Sequence, residues 1–342
     1  MARPYGLLRA GYPYLKTLGM RRITNFPVDV AFGKDKTIYI LLRSEGVALI
    51  RVWSLDDAEQ LTDDLKQIGG FGVEDGQFKW PVQLITNDSG DIFVSDEAIH
   101  RITRFDEAGE FVAKWGIEGS SEGELKGPSG IAFDNDGNML VVDSQNHRIQ
   151  RFTPDGEHLG GFGSQGSEAG QFELPWGIHV DELGDIYVAD WGNNRVQKLG
   201  PTGEPLMVIG SPGTGDGEFD RPTGVAVDAH GDIYVSDWGN NRVQMFNQEG
   251  QYIWKFLGDA SLSRSARTYM LTNAMPNRLR EMGRLEQEKY LRRPRSVRID
   301  SEFRLFIADY ESYRLQVYQK EAIPLDESTM PAPIRNPTLA TT

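Results

Sequence analysis

The sequence predicts an all-β fold: a six-bladed β-propeller of four-stranded blades, its ring closed by an N-terminal strand, with a small helical insertion between blades five and six. Three observations carry this. The stretch DWGNNRVQ occurs twice, at Asp190–Gln197 and Asp237–Gln244. Aligning on it finds six units, each opened by a proline: Pro27, Pro81, Pro128, Pro175, Pro222 and Pro294. Each unit then divides into short β-rich runs between turn residues, as in GIHVD, DIYVAD, RVQKLG and PLMVIG, which are hairpin signals. Four strands per repeat of roughly 40–50 residues is the pattern of propeller blades, not of a helical solenoid.

Within the units the elements fall at fixed offsets. A strand starts eleven residues after each proline (IYILL, IFVSD, MLVVD, IYVAD, IYVSD, LFIAD). Fifteen residues after it stands Asp96, Asp143, Asp190, Asp237 or Asp309, and twenty after it Arg101, Arg148, Arg195, Arg242 or Arg314. The first unit is degenerate, with Leu42 and Val47 at these positions. Recurrence in five blades makes each Asp and Arg structural: they are expected to pair across the hairpin, with Asn satisfying turn amides. The sixth unit shows no clear fourth strand. YLKTLG (Tyr14 to Gly19) resembles the fourth-strand segment FVAKWG (Phe111 to Gly116), so residues 14–19 are expected to complete blade six and remove the open sheet edge. The organisation is therefore one propeller over 1–320, with an insertion at 259–292 and a flexible tail at 321–342.

Composition bounds function. The 342 residues include no cysteine, which removes disulfides and thiolate metal sites. No apolar run is long enough for a membrane helix and no signal-peptide core is visible, so a cytoplasmic protein is expected. The net charge of -14 argues against nucleic acid as a partner. Charge is uneven, however: residues 1–25 carry five Lys/Arg and no acid, and 259–298 carry ten against four. No cofactor or metal is expected.

With these residues in hand, the chain resembles the NHL-repeat family over residues 14–320. The pattern P-x-G-[IV]-A-[VF]-D followed by D…N-x-R-[IV]-Q stands at Pro128 to Asp134 with Asp143 to Gln150, and at Pro222 to Asp228 with Asp237 to Gln244. The resemblance implies a six-bladed propeller. For function it implies only a range: RNA- or protein-binding modules, sensor domains, or a metal-dependent peptide-amidating lyase. The lyases place histidines directly after the blade proline. Here those positions hold Val28, Val82, Ser129, Trp176, Thr223 and Arg295, which departs from that activity. GFGSQG (Gly161 to Gly166) matches a dinucleotide fingerprint but lacks its strand–helix context, and reads as an inter-blade turn. DNDGN (Asp134 to Asn138) likewise reads as a hairpin turn, not a calcium loop.

Departures from the repeat are the candidates for function. The 72-residue spacing before blade six contains Ser261 to Leu291. Leu262, Ala266, Tyr269, Met270 and Ala274 suit one short helix capped by Ser261, and Leu279, Met282 and Leu285 a second. This segment is expected to be a lid over one face, a decoration or a homodimer contact. On the same face lie Trp176, Trp191, Trp238 and Tyr310, where the first three blades have Arg43, Glu97 and Ser144 after the second strand. Arg292, Arg293, Arg295 and Arg298 lead into blade six. Asp29, Gln83 and His179 are polar candidates at the axis. An aromatic and cationic sector suits a protein or a small anionic or aromatic ligand. A binding or scaffold module is therefore the leading expectation; the alternative is a lyase or hydrolase working in a lidded axial pocket.

Overall fold

A computed structural model describes residues 6–21, 23–55, 66–272 and 285–325. Six four-stranded antiparallel sheets stand around a central axis. Their innermost strands are Pro27–Phe32, Pro81–Thr86, Pro128–Phe133, Ile178–Val180, Pro222–Val227 and Pro294–Ile299. Proline can open these strands because the first position of a strand owes no hydrogen bond to the ladder. The first strand of blade six belongs to a sheet completed by Tyr14–Leu18, which pairs with Arg314–Gln319. The N-terminal strand thus closes the ring.

Why these sequences stack is visible in their burial. The second strand of each blade is apolar and buried on both faces, as in Met139–Asp143 and Ile233–Asp237, whereas an outer strand such as Phe111–Trp115 alternates between half-buried and exposed. Each blade therefore has two apolar faces and must bury both against neighbours. Six core clusters result, one per seam between consecutive blades. Under each of three inter-blade links a buried phenylalanine (Phe78, Phe172, Phe219) sits beneath a glycine. At Gly210, with φ +79, a Cβ would stand 2.2 Å from the Phe219 ring; at Gly163, φ +94, the corresponding distance to Phe172 is 2.6 Å. The second glycine of GFGSQG is therefore required by packing. The DNDGN turn is held by Asp134, whose carboxylate accepts from the amides of Asp136 and Asn138.

Two features differ from expectation. Residues Glu321–Leu325 are not a tail: they form a strand antiparallel to Gly6–Gly11, with Gly6 opposite Leu325. This ribbon fastens to blade five through the Lys320 ammonium, 2.5 Å from Asp228 and 2.8 Å from Asp232, and through Arg9 on Asp232. Residues 326–342 lie outside the described residues. In the insertion, Arg264–Thr272 is helical and Leu285–Glu288 forms a single turn. Its first helix is capped by Ser263, which accepts from the Ala266 amide at 3.1 Å, and not by Ser261, whose amide bonds the Tyr14 hydroxyl. Ala274, Leu279 and Met282 lie outside the described residues. Among the described residues no helix is long and apolar enough to cross a membrane.

Candidate functional site

The repeated Asp and Arg are architecture in four blades. Arg148, Arg195, Arg242 and Arg314 each donate Nε to the aspartate opposite at 2.7–2.8 Å. The arginine then reaches on to the preceding inter-blade link: Arg242 donates to the carbonyls of Thr214, Gly215 and Glu218. Asn240 and Gln244 complete the network around Asp237. One hairpin thus bolts its own blade to the link that enters it. Blade two is the exception. Asp96 caps the amides of Lys79, Trp80 and Ala98, and Arg101 grips Val73, Glu74 and Gln77 carbonyls without an ion pair between the two. The local difference is Thr103, which replaces the Gln that donates to the aspartate in the four paired blades. Arg242→Ala is expected to cost about 3–5 kcal/mol, because it strands a buried carboxylate. Urea denaturation measures it, and an unchanged midpoint would contradict the assignment.

At the axis, Asp29 is 1% exposed and accepts both the Nε and Nη2 of Arg298, at 3.0 and 2.7 Å, plus the Leu84 amide. Gln83 donates to the Ile131 carbonyl. Both are committed to joining inner strands. The axial cavity has a volume of about 20 Å³, room for roughly one water. His179 does not line it; burial, aided by the charge of Arg298, pushes its imidazole down to about 4. That folded value lies below the ordinary 6.5, so the unfolded chain takes up the proton first. Stability is therefore full above pH about 6.5 and falls as pH drops toward about 4, by on the order of 2–3 kcal/mol. Chemical denaturation across this range should show the loss in the native chain and a flatter profile in His179→Gln; parallel profiles would refute it.

On the face carrying the proline ends of the inner strands, the sequence candidates do assemble. Arg221 lies over Trp191 and Trp238, at 5.9 and 4.9 Å. Trp238 also carries Arg293 at 4.7 Å and Arg295 at 5.4 Å. Arg295 continues onto Tyr310 at 4.9 Å, which packs on Phe26, then Tyr313, then Arg21. This ladder of rings and guanidiniums runs along blades four to six into blade one. Its rungs come from equivalent positions: the residue after each blade's Asp supplies Trp191, Trp238 and Tyr310, and the residue before the proline supplies Arg221, Arg293 and Phe26. The backbone before the proline is left-handed at Arg221 and Arg293 and is pinned by Asn194 and Asn241, whose side chains accept those amides at 2.7 and 2.8 Å. His147 and His100 do the same for Leu174 and Gly127 through Nδ1, which gives two of the five histidines a structural role.

Arg221, Phe26, Tyr313 and Arg21 in the ladder, and Arg43 beside it, were not marked by the sequence as ligand candidates. Arg43 is 2% exposed, stacks on Trp80 at 4.6 Å and pairs with Glu97 at 3.1 Å. Burial raises the Glu97 carboxyl, against the pull of Arg43 and Arg295. Arg295 is pushed down to about 10 by burial first and by repulsion from Arg43 next. Trp176 stands between two hollows, the axial cavity and a slot of about 480 Å³ that it shares with Trp191, Glu97, Lys126, Ser144 and Gln145.

The described helix of the insertion is off-centre. Ala266, Tyr269 and Met270 line a groove of about 770 Å³ with Met20, Phe26, Ser44 and Tyr313, above blades six and one. Among the described residues none of the helix Arg264–Thr272 borders the axial cavity, so that helix walls the ladder's end and does not lid the axis. No group of three or more His, Asp or Glu among the described residues is placed to hold a metal ion.

The fold and its repeated hairpin bolt define a class: the chain is a six-bladed β-propeller that carries three matched NHL repeats. The NHL repeat model matches residues 125–152, 172–199 and 219–246, the first three strands of blades three to five with the end of the link that enters each. No curated protein matches the sequence. Similar solved structures include a streptogramin B lyase, 14% identical with a TM-score of 0.57 over 91% of this chain and 98% of that one. Another is a catalytically inactive virginiamycin B lyase from Staphylococcus aureus with quinupristin, 13% identical, TM-score 0.57, covering 93% and 90%. A protein of unknown function from Bacteroides thetaiotaomicron is 17% identical, TM-score 0.59, covering 92% and 76%. At these identities the likeness is one of fold alone.

Proposed function

We propose that this propeller is a recognition module that binds an anionic partner, a protein segment or a small ligand, on the face bearing the aromatic–arginine ladder. The single observation behind the reading is the ladder itself: four arginines stacked on four rings on one side of a ring that is otherwise strongly acidic. Stacked guanidiniums keep their edges free for acceptors while the rings hold them in place. The alternative, a lyase or hydrolase reacting at the axis, has less support: the axial cavity admits about one water and Asp29 is neutralised by Arg298.

The test is fluorescence anisotropy with labelled peptides of graded acidity at low and physiological salt. Affinity should rise with acidity, weaken with salt, and fall in a Trp238→Ser/Arg293→Ser chain. Equal binding of neutral and acidic peptides, or no effect of the double substitution, would sink the proposal.

A further inference from the structure

Resting on that reading, we infer that the mouth of the axis is a seat for one carboxylate, centred on Arg295, with the ligand's body lying in the slot between Trp176 and Trp191. Among the described residues, the arginines that line the axial mouth and those stacked on Trp238 are each compensated by a carboxylate, with Arg295 the exception. Arg43 pairs with Glu97, Arg221 with Asp220 at 2.9 Å, Arg293 with Glu311 at 3.2 Å and Arg298 with Asp29. Arg295 has no carboxylate, and among the described residues its guanidinium makes no hydrogen bond; its Nε is buried without an acceptor. It lines the axial mouth beside Arg43 and Trp176.

A half-buried guanidinium whose Nε is buried and which is held only by ring faces is a costly arrangement. The two rings that clamp it, Trp238 and Tyr310, contribute no acceptor in its plane, so its fork is left open for a planar bidentate anion. The charge count selects the class. One uncompensated positive charge is balanced by a monoanion; a phosphate monoester, close to a dianion at neutral pH, would leave excess negative charge next to Glu97. Size agrees. The axial mouth itself is narrow, whereas the adjoining slot of about 480 Å³ falls within the range of small-molecule sites. Trp176 forms a wall of both. A carboxylate head in the mouth and an acyl or aromatic body in the slot is the ligand this shape takes. Two sources share that chemistry: a free organic acid and the C-terminal carboxylate of a peptide.

The probes are hippurate, its uncharged amide and phenyl phosphate, followed by tryptophan fluorescence of the full chain. A pair of acetylated tetrapeptides ending in phenylalanine, one with a free and one with an amidated terminus, separates the sources. Hippurate should give a saturable change, and the amide and phosphate should bind about tenfold or more weakly. Free-terminus peptide binding then identifies a peptide end; binding of hippurate alone identifies a free acid. Arg295→Met should weaken hippurate about tenfold or more, yet melt at or above the native temperature, because it removes an uncompensated, half-buried charge. Glu97→Gln should tighten hippurate. The inference is overturned if no carboxylate probe gives a saturable response, if amide or phosphate binds as well as hippurate, or if Arg295→Met binds hippurate normally. It is also overturned if Arg295→Met melts markedly lower, since Arg295 would then be a structural residue. If Arg295→Met keeps its affinity for acidic peptides while Trp238→Ser/Arg293→Ser loses it, the recognition reading stands and only the carboxylate seat falls.

Discussion

Deleting residues 1–20 removes the strand that closes the ring and is expected to cost about 5–10 kcal/mol, as much as the whole stability of many domains. Tyr14–Leu18 forms the outer edge of blade six, with Lys16, Thr17 and Leu18 opposite Val317, Gln316 and Leu315. Leu18 is fully buried in the seam between blades six and one, and Tyr14 packs edge-on against Tyr318 at 5.6 Å. Burying a leucine contributes about 1.5–3 kcal/mol, each ladder hydrogen bond about 1 kcal/mol, and the freed edge of Arg314–Gln319 would then face solvent as a template for aggregation. The deletion should therefore abolish a cooperative melt near the native temperature and raise light scattering. A truncated chain that melts like the full one would mean that the ring is held by its seams alone.

Lys320→Ala is expected to cost about 5 kcal/mol. The ammonium is fully buried and bridges two carboxylates that are each about 1% exposed on their side chains. With Arg9 on Asp232 the cluster is balanced, two cations against two anions. Removing the lysine leaves Asp228 and Asp232 facing each other with one partner between them, a like-charge pair in a dry setting. Because Asp228 also accepts the Tyr234 hydroxyl at 2.9 Å and the amides of His230 and Asp232, it cannot turn away to water. Lys320→Met/Asp228→Asn should recover part of the loss, and the coupling measured by the four-chain cycle gives the strength of the pair. A Lys320→Ala chain as stable as the native one would show that the ammonium contributes nothing.

What was legible in the sequence follows from what repeats. The prolines, the buried second strands and the Asp–Arg pairs recur at fixed offsets, so blade number and hairpin chemistry could be read directly. The closing strand was legible because YLKTLG carries the outer-strand pattern of FVAKWG. The pairing failed only in blade two, where Thr103 stands in place of the Gln that donates to the aspartate in the four paired blades. The ribbon of Gly6–Gly11 with Glu321–Leu325 had no sequence signal, since its strands lie some 300 residues apart with no turn between them. Arg43 was hidden by its blade: the hairpin there turns tightly through Glu45 and Gly46 (φ +72), so the position reads as strand and not as loop. The tryptophans of blades four and five stood out because only their neighbours in other blades differ. That Arg221 and Arg295 would lie across them depends on the angle between blades, which no local pattern encodes.

The terminal ribbon also sets how the molecule answers to force. Gly6 and Leu325 are opposite each other at one end of an antiparallel pair, so tension applied across them peels the ladder open one hydrogen bond at a time and does not shear it all at once. At the inner end of the ribbon, the load reaches Arg9 and Lys320 on the buried aspartates of blade five before it reaches the closing strand. The ribbon acts as a soft first stage and the charge cluster as the stiffer second one, so a pulled molecule should yield its ends early while the ring, and the face on its far side, stays assembled.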